Sequence, residues 1–386
     1  MPDSKAGKKI KVFYAIERLA RAGTELHLLR VLRQLDRTRF EPVLCCLNQS
    51  MCETDLIPTD LTVHTFDARW NLLHPSTIGI YWRLLHAIRQ EKPDVIHSFL
   101  FVANILGAFA SRRAGVRVFV ASRGRMGIEW DANFLHRKMQ CLADRRTDHI
   151  LCKTEAMRQE IARHECVPLE KIRVIPNGVD TSHFRFESGG AAEARERLAQ
   201  EFGIPTDGPL VLAVSNLKPI KGHRTLVEAA AKVREHCPAL RVAIVGKGES
   251  EDELRDAVRS LGLETTVYLP GNAEDVRPWM RGADLFVAAS LSEGMPNALL
   301  EAMAMGLPAV LSDIPGHRET AEDDAWYFPV KDIASLAATL EHALAASEER
   351  AERAQKGLER VCSSLSLEAM VRKIENVYIE TLDAKS

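Results

Sequence analysis

Short apolar segments alternate along the chain with longer stretches in which apolar residues recur every three or four positions. The short segments predict buried β-strands, as in Lys9–Ile16 and Phe40–Leu47, and the longer ones predict amphipathic helices, as in Thr24–Leu35. Alternation of this kind is typical of a parallel sheet with helices on both faces. We therefore expect an α/β chain with doubly wound sheets.

The residue composition changes after residue 176, and the alternation of strands and helices is interrupted there. The following stretch contains Asn-Gly, Gly-Gly and Pro-Thr-Asp-Gly, which predict turns and a linker, together with a short helical patch. The alternation restarts at Leu210, and beyond a strand at Ala309–Leu311 we expect only helices. The predicted boundaries are residues 1–176 for the N-terminal domain, 177–208 for the linker, 209–365 for the C-terminal domain and 366–386 for a helix that crosses back to the N-terminal domain. Two domains suit a length of 386 residues.

Charge is close to balanced over the whole chain, at −2, so nothing global indicates nucleic-acid binding. It is unevenly distributed, however. Residues 1–175 hold 28 basic and 19 acidic side chains, whereas residues 176–386 hold 23 and 34. A basic first half suits an anionic membrane surface or an anionic substrate, and ordinary solvated charge is the alternative interpretation.

The eight cysteines contain no C-x-x-C pair, which removes the usual support for a zinc or thioredoxin-like site. The N-terminal apolar run, Val12–Ile16, is too short for the core of a signal peptide, and no stretch reaches the length of a membrane span. We expect a cytoplasmic protein that is at most peripheral to a membrane.

Two segments have residues suited to phosphate. Gly23 opens the helix predicted after the first strand, where free N–H groups and the helix dipole favour an anion. Lys218 and Lys221 lie in the loop that follows the first strand of the second domain, where fixed positive charge can stabilise a leaving diphosphate. A simple turn and two exposed loop lysines are the alternative interpretations.

A G-x-G at Gly246 and Gly248 ends another predicted strand and suggests a dinucleotide site. The third glycine of that motif is missing, since Glu251 occupies its position. The nicotinamide interpretation is therefore disfavoured.

The segment Ser292–Glu301, SEGMPNALLE, precedes and opens a helix expected at Asn297–Met305. Pro296 suits the first helical position, and the amides near it suit an anion. Glu293 and Glu301 lie before and within the helix, so the two carboxylates can serve different parts of one ligand. A capping pattern with two surface glutamates is the alternative.

The spacing of these two glutamates, E-x7-E within Ala283–Glu319, resembles family 4 glycosyltransferases of the GT-B fold. VIPNGVD (Val174–Asp180) and IVGKGES (Ile244–Ser250) are similar to other segments of that family. The resemblance implies two Rossmann-like domains that face each other across a cleft. It also implies metal-independent, retaining transfer from a UDP- or GDP-sugar to an acceptor hydroxyl, with no cofactor besides that donor.

The same resemblance assigns roles to individual residues. The implied catalytic residues are Glu293, Lys221 and His97. The implied substrate-binding residues are Gly23, Arg123, Asn216, Lys218, Gly271, Gly294, Met295, Pro296, Asn297 and Glu301. Within this set Glu301 is expected to hold the ribose, and Glu293 a hydroxyl of the donor sugar.

Two positions depart from the family pattern. Asn216 replaces an arginine that would pair with the lysine at 221, and our hypothesis is that Lys218 or Arg123 compensates for the missing charge. Phe99 replaces the second histidine of an H-x-H, which makes His97 a candidate for either a catalytic or a buried structural role. These departures keep a catalytically silent paralogue open as an alternative, beside a nucleotide-sugar epimerase of the same architecture.

The acceptor is expected at loops of the first domain, Arg69–Leu73 and Arg123–Trp130. Arginines beside apolar side chains in the second loop suit a lipid-linked or anionic saccharide acceptor, as in envelope polysaccharide or glycolipid synthesis. A soluble acceptor remains an alternative.

Overall fold

The computed structural model describes residues 8–20, 23–66, 76–124, 134–165, 167–187 and 189–386. The expected loop at Arg69–Leu73 and most of the Arg123–Trp130 loop lie outside these residues. The chain divides into two compact units, Met1–Asn177 together with Leu367–Ser386, and Gly178–Ser366.

The first unit contains a seven-stranded parallel sheet with the order β3-β2-β1-β4-β5-β6-β7. Its strands are β1 (Ile10–Ile16), β2 (Phe40–Cys46), β3 (Thr62–Thr65), β4 (Val95–Phe99), β5 (Val118–Ser122), β6 (His149–Cys152) and β7 (Ile172–Val174). The helices between them are α1 (Gly23–Gln34), α2 (Ser76–Glu91), α3 (Phe101–Ala114), α4 (Phe134–Asp144) and α5 (Glu155–His164). Alternate residues of β1 enter opposite cores, Tyr14 on one face and Phe13 on the other, as a sheet covered on both sides requires.

The second unit contains a six-stranded parallel sheet with the order β10-β9-β8-β11-β12-β13. Its strands are β8 (Leu210–Val214), β9 (Arg241–Val245), β10 (Val267–Gly271), β11 (Leu285–Ala288), β12 (Ala309–Ser312) and β13 (Trp326–Phe328). Its helices are α6 (Ala191–Phe202), α7 (His223–His236), α8 (Glu251–Ser260), α9 (Arg277–Gly282), α10 (Asn297–Ala304), α11 (Pro315–Ala321), α12 (Ile333–Ala345) and α13 (Ser347–Ser364). The expected doubly wound α/β architecture is confirmed.

The strand order reverses between β8 and β11 in the second sheet, and between β1 and β4 in the first. In open parallel sheets the loops leaving the two strands at such a point diverge to opposite faces and leave room for a ligand at the carboxyl ends. The fold therefore marks the loops after β8 and β11 as the place for a site in the second unit.

The stretch expected as a linker, 177–208, holds its helical patch as α6, whose Leu198 is buried in the core of the second unit, and Ile204 is buried beside it. The expectation of helices alone beyond β12 is wrong, since β13 adds a parallel edge to β12. A three-residue strand is too short to show an alternating pattern.

The last helix, α14 (Leu367–Asp383), packs in the first unit beside α1. Met370, Ile374 and Tyr378 are buried in the same core as Tyr14. The spacing of four residues places these three side chains on one face of the helix. Packing of this face holds the end of the chain against the core of the first unit.

Substitution of Ile374 by alanine should destabilise the first unit by about 2–5 kcal/mol, the usual cost of removing a buried aliphatic side chain. Asn376, which is exposed on the same helix, is the matched control, and its alanine variant should remain within about 0.5 kcal/mol of the original protein. Denaturant unfolding followed by circular dichroism measures both. Equal stabilities of the two variants would contradict the packing of α14 described here.

Candidate active site

Lys221 is placed by the loop that follows β8. A short 3-10 turn, Pro219–Lys221, leads to Gly222, and α7 begins at the next residue. Gly222 has φ +63°, and a Cβ on it would lie 2.1 Å from the carbonyl oxygen of Ala289. Only glycine satisfies both conditions, so the loop after β8 can pack directly on the backbone that follows β11.

The loop after β11 carries Glu293 to the same place. The N–H of Leu291 donates to the carbonyl of Ile220 at 2.8 Å, which joins the two loops. The ammonium of Lys221 forms an ion pair with Oε1 of Glu293. The hydroxyl of Ser290 donates to the same carboxylate oxygen at 2.9 Å. The structure thus brings together the two residues of the second unit that the sequence indicated as catalytic.

The Lys221–Glu293 pair is neither fully exposed nor sealed off. The side chains keep 22% and 16% of their surface accessible, so a ligand can reach them. Ion pairs in such partly desolvated positions act more strongly than pairs on an open surface. The arrangement can therefore present a hydrogen-bond acceptor and a fixed cation to one ligand.

His223 lies directly behind the pair and was not singled out in the sequence. It is buried, with Nε2 2.8 Å from the hydroxyl of Ser215. Burial, helped by the nearby charge of Lys221, lowers its pKa to about 4. His223 is therefore neutral at neutral pH and adds no charge of its own to the site.

Helix α10 begins one residue later than Pro296, which the sequence suggested as the first helical position. Pro296 has extended φ and ψ of −74° and 124° and precedes Asn297, the first helical residue, and its own side chain does not cap the turn. Gly294 and Glu301 are partly exposed on either side of it, whereas the side chain of Met295 is buried in the core. If Met295 binds substrate, its backbone has to do so.

The G-x-G segment serves packing between loops. A Cβ on Gly246 would lie 1.9 Å from the carbonyl oxygen of Ser215, and one on Gly248 would lie 2.3 Å from that of Leu217. The N–H of Leu217 donates to the carbonyl of Lys247 at 3.0 Å. These close approaches explain both glycines without a dinucleotide.

Three further candidates lie on these loops. Asn216 and Lys218 are exposed on the loop after β8. Gly271 ends β10 with φ +85°, and its carbonyl accepts a hydrogen bond from the N–H of Gly246 at 2.8 Å. Their roles stay predictions.

His97 in the first unit has no free ring nitrogen. Nδ1 lies 2.6 Å from the hydroxyl of Tyr378, and Nε2 lies 2.8 Å from that of Ser122. The ring is fully buried, which lowers its pKa to about 3. This geometry favours the structural alternative over the catalytic one, because a ligand would have to break an existing bond to use the imidazole.

Arg123 is also engaged inside the first unit. Its guanidinium is buried and contacts Asp144 at 2.6 Å and Glu165 at 3.2 Å. Its charge is therefore paired with two carboxylates inside the first unit. Its part in substrate binding, and its compensation for the arginine missing at position 216, stay predictions. Sequence inspection could not foresee the pairing, because both partners are more than twenty residues away.

Gly23 begins α1, and a Cβ on it would meet nothing within 4 Å. Gly124, which follows β5, comes close to the same turn, since a Cβ on it would lie 2.6 Å from Oγ1 of Thr24. That absence of contacts at Gly23 concerns the described residues alone, and the role of Gly23 in binding an anion stays a prediction.

Within the part of the chain that the structure describes, no group of three or more His, Cys, Asp and Glu side chains is arranged to hold a metal ion. None of the described helices combines the length and apolarity needed to cross a bilayer.

Family models match both halves of the chain. The model described as "Glycosyltransferase Family 4" matches residues 21–183, and the one described as "Glycosyl transferases group 1" matches residues 194–360. Together they span most of the sequence, and the second includes both Lys221 and Glu293.

Curated relatives carry related names. The chain is 26% identical, over 78% of its length and 79% of the relative's, to the "Lipopolysaccharide core biosynthesis glycosyltransferase LpsE" of Rhizobium meliloti (strain 1021). It is 28% identical to the "UDP-Gal:alpha-D-GlcNAc-diphosphoundecaprenol alpha-1,3-galactosyltransferase" of Escherichia coli, over 68% of each chain.

A solved structure shows the same fold. Anabaena Alr3699/HepE, determined in complex with UDP, superposes with a TM-score of 0.82 at 20% identity, covering 96% of this chain and all of the other. The same protein has also been solved in complex with UDP-glucose.

Replacement of Gly222 by alanine should destabilise the second unit by about 1–3 kcal/mol more than replacement of Gly262. Both glycines have nearly the same positive φ, +63° and +62°, but only Gly222 has a backbone oxygen in the path of a Cβ. The difference between the two variants therefore isolates the contact with Ala289 from the backbone strain. Thermal and denaturant unfolding measure it. Equal destabilisation would show that the two loops do not pack as closely as described.

Proposed function

Since the chain belongs to the glycosyl transferases group 1, with a first half of glycosyltransferase family 4 and the GT-B fold, we propose that it moves a sugar from a nucleotide-sugar donor to an acceptor hydroxyl. Such a reaction needs a group that holds the sugar and a cation that stabilises the departing diphosphate. The observation that carries the proposal is the ion pair of Glu293 and Lys221 where the order of the second sheet reverses.

Each residue of the second unit has a distinct part in this proposal. The carboxylate of Glu293 accepts hydrogen bonds from hydroxyls of the donor sugar, and Lys221 offsets the charge of the diphosphate. Backbone amides from Gly294 to Asn297, at the start of α10, bind sugar or phosphate oxygens. The carboxylate of Glu301, one turn further along the helix, accepts hydrogen bonds from the two ribose hydroxyls.

We propose retention of configuration without a metal ion. The bond between the anomeric carbon and the diphosphate oxygen breaks, and the acceptor oxygen forms its bond to the same face of that carbon. The proton of the acceptor hydroxyl passes to the departing phosphate oxygen, so the diphosphate itself acts as the base. Lys221, with Lys218 and Asn216 on the same loop, supplies the positive charge and hydrogen bonds that the departing diphosphate requires.

UDP is the nucleotide that similarity favours. HepE has been solved with UDP and UDP-glucose, and the E. coli relative is named for UDP-Gal. We therefore propose a UDP-sugar ahead of a GDP-sugar as the donor for this chain.

Binding and slow hydrolysis of nucleotide sugars test this function. Among UDP-, GDP- and ADP-sugars, a UDP-sugar should raise the melting temperature most, because a ligand that binds only the folded state stabilises it by mass action. The same donor should be hydrolysed slowly without acceptor. Absence of stabilisation by every nucleotide would contradict the proposal.

Lys221→Ala and Glu293→Ala should each reduce that turnover about 100-fold or more, the usual effect of losing a group that stabilises transition-state charge. Lys232→Ala, which removes an exposed lysine of α7, is the control and should turn over like the original protein. Original rates in both site variants, with the fold intact by circular dichroism, would contradict the site assignment.

For the acceptor we propose a lipid-linked saccharide of envelope polysaccharide or glycolipid synthesis, used at the cytoplasmic face of a membrane. The names of the two relatives refer to lipopolysaccharide core and to a diphosphoundecaprenol acceptor. The first unit also presents large apolar side chains to solvent. Ile78 and Trp82 on α2 are 65% and 52% exposed, and Phe134 at the start of α4 is 80% exposed.

These side chains lie on one layer of the first unit, since α2 and α4 both pack against α3. Arg83 and Arg89 are exposed on α2 beside Trp82. Aromatic and aliphatic side chains among arginines suit the interface of an anionic bilayer, where apolar groups enter the headgroup region and arginines meet phosphates.

Trp82→Ser combined with Phe134→Ser should reduce co-sedimentation with phosphatidylglycerol vesicles about 10-fold or more, because both apolar anchors are lost. Phe202→Ser, which removes an exposed phenylalanine of the second unit, is the matched control and should not change it. Original protein that fails to bind these vesicles at low salt, or equal binding by all variants, would contradict membrane contact through this layer.

A further inference from the structure

His317, in the first turn of α11, is fully buried behind the loop that carries Glu293. Its Nδ1 lies 2.9 Å from the carbonyl oxygen of Ser312 and 3.2 Å from the hydroxyl oxygen of the same residue. The hydroxyl of Ser312 donates in turn to the carbonyl of Ser290 at 2.6 Å. This places an imidazole, two serines and the Glu293 loop in one hydrogen-bonded series.

The series fixes the protonation of the ring. The hydrogen of the Ser312 hydroxyl is used by Ser290, so both oxygens of Ser312 that face the ring act as acceptors. Nδ1 must therefore carry the hydrogen. Burial lowers the pKa of His317, so the ring is neutral and its Nε2 is an unprotonated acceptor.

The series ends on the carboxylate of the candidate site. Ser290, whose carbonyl is held by Ser312, donates its own hydroxyl to Oε1 of Glu293 at 2.9 Å. The residue before His317 touches the same loop, because a Cβ on Gly316 would lie 2.4 Å from the carbonyl oxygen of Glu293 and 2.5 Å from that of Gly294. The first turn of α11 therefore supports the loop both by hydrogen bonds and by direct backbone contact.

The ring nitrogen Nε2 of His317 does not contribute to the stability of the fold. Nε2 is buried and has no hydrogen-bond partner within the residues that the structure describes. A buried nitrogen without a partner lowers stability, and an apolar ring of similar size would avoid that penalty. Local features that disfavour stability occur mostly where function requires them.

We propose that His317 is a positioning residue of the donor site, which fixes the Glu293 carboxylate toward the donor sugar through Ser312 and Ser290. The inference rests on the proposed glycosyl transfer, because it assigns His317 to the sugar-holding group of that reaction. His317 acts through the carboxylate and not on the sugar itself. Loss of the ring should therefore affect the sugar-dependent step and leave nucleotide binding intact.

Three substitutions separate the two ring nitrogens. The side-chain amide introduced by His317→Asn can place an N–H near the position of Nδ1, whereas the longer side chain introduced by His317→Gln places its amide near Nε2. His317→Phe keeps a ring and removes both nitrogens. His236→Phe, which replaces an exposed histidine of α7, is the control for loss of an imidazole elsewhere.

Donor hydrolysis and UDP affinity should be measured for each variant, with melting temperatures as the test of folding. We expect His317→Phe and His317→Gln to lower kcat/KM about 10- to 100-fold, because small misplacements of a reacting group have effects of that size. His317→Asn should recover most of the loss. UDP affinity should stay within about twofold of the original in all of them, since the series ends on the carboxylate proposed to hold the sugar and not on a group proposed to hold the nucleotide.

Ser312→Ala provides a second test that keeps the ring and deletes only the link to Ser290. It should lower kcat/KM in the same direction as His317→Phe. The effects of Ser290→Ala and His317→Phe should also be non-additive, because both interrupt one series.

Several results would overturn the proposal. Activity equal to the original in His317→Phe, or recovery by Gln and not by Asn, would show that Nδ1 does not position Glu293. Full activity in Ser312→Ala, or additive effects of Ser290→Ala and His317→Phe, would show that the series does not transmit the effect. These outcomes require an active original protein, whereas an original protein that hydrolyses no nucleotide sugar would overturn the proposed function itself.

Discussion

The second unit depends on the ion pair between Lys221 and Glu293. Each partner follows a different strand, β8 and β11, and the two loops meet through backbone contacts at Gly222 and Leu291. In the proposed function this pairing has an electrostatic purpose. A carboxylate that holds sugar hydroxyls would lie close to a diphosphate of like charge, and the ammonium of Lys221 would lower the repulsion.

Backbone packing is what makes this geometry possible. Glycines at 222, 246 and 316 each lie where a Cβ would strike a carbonyl oxygen of a neighbouring loop. Loops that touch backbone to backbone lose fewer side-chain degrees of freedom and hold their attached groups more rigidly. The loops that follow β8, β9, β11 and β12 therefore form one packed layer at the carboxyl ends of the strands.

Most of the fold could be predicted from the sequence, because buried parallel strands and amphipathic helices have different periods. The predicted strand Lys9–Ile16 and the predicted helix Thr24–Leu35 lie within one residue of the observed bounds of β1 and α1 at each end. The three-residue strand β13 was missed because its length leaves no period to detect. The helical patch in the expected linker was visible in the sequence, but its packing was not, because Leu198 meets a core formed by residues far away along the chain.

The candidate site was only partly predictable, and the reason is the distance between partners along the chain. Glu293 and Lys221 could be singled out by residue type and family spacing. The partners of His97 and Arg123 could not, since Tyr378 is 281 residues from His97 and Glu165 is 42 residues from Arg123. Residue type indicates what a side chain can do, and only packing shows whether it is already engaged.

Because Asn216 is neutral, the positive charge of the candidate site depends on whether the two buried histidines of the second unit are protonated. His223 and His317 both lie near Lys221, and burial lowers the pKa of each. Protonating either one would place a second cation in a poorly hydrated position beside the ammonium. The imidazoles therefore contribute hydrogen bonds without charge. In the proposed reaction, with a neutral amide at position 216, the positive charge that stabilises a departing diphosphate would come from the lysines of the loop after β8, and chiefly from Lys221.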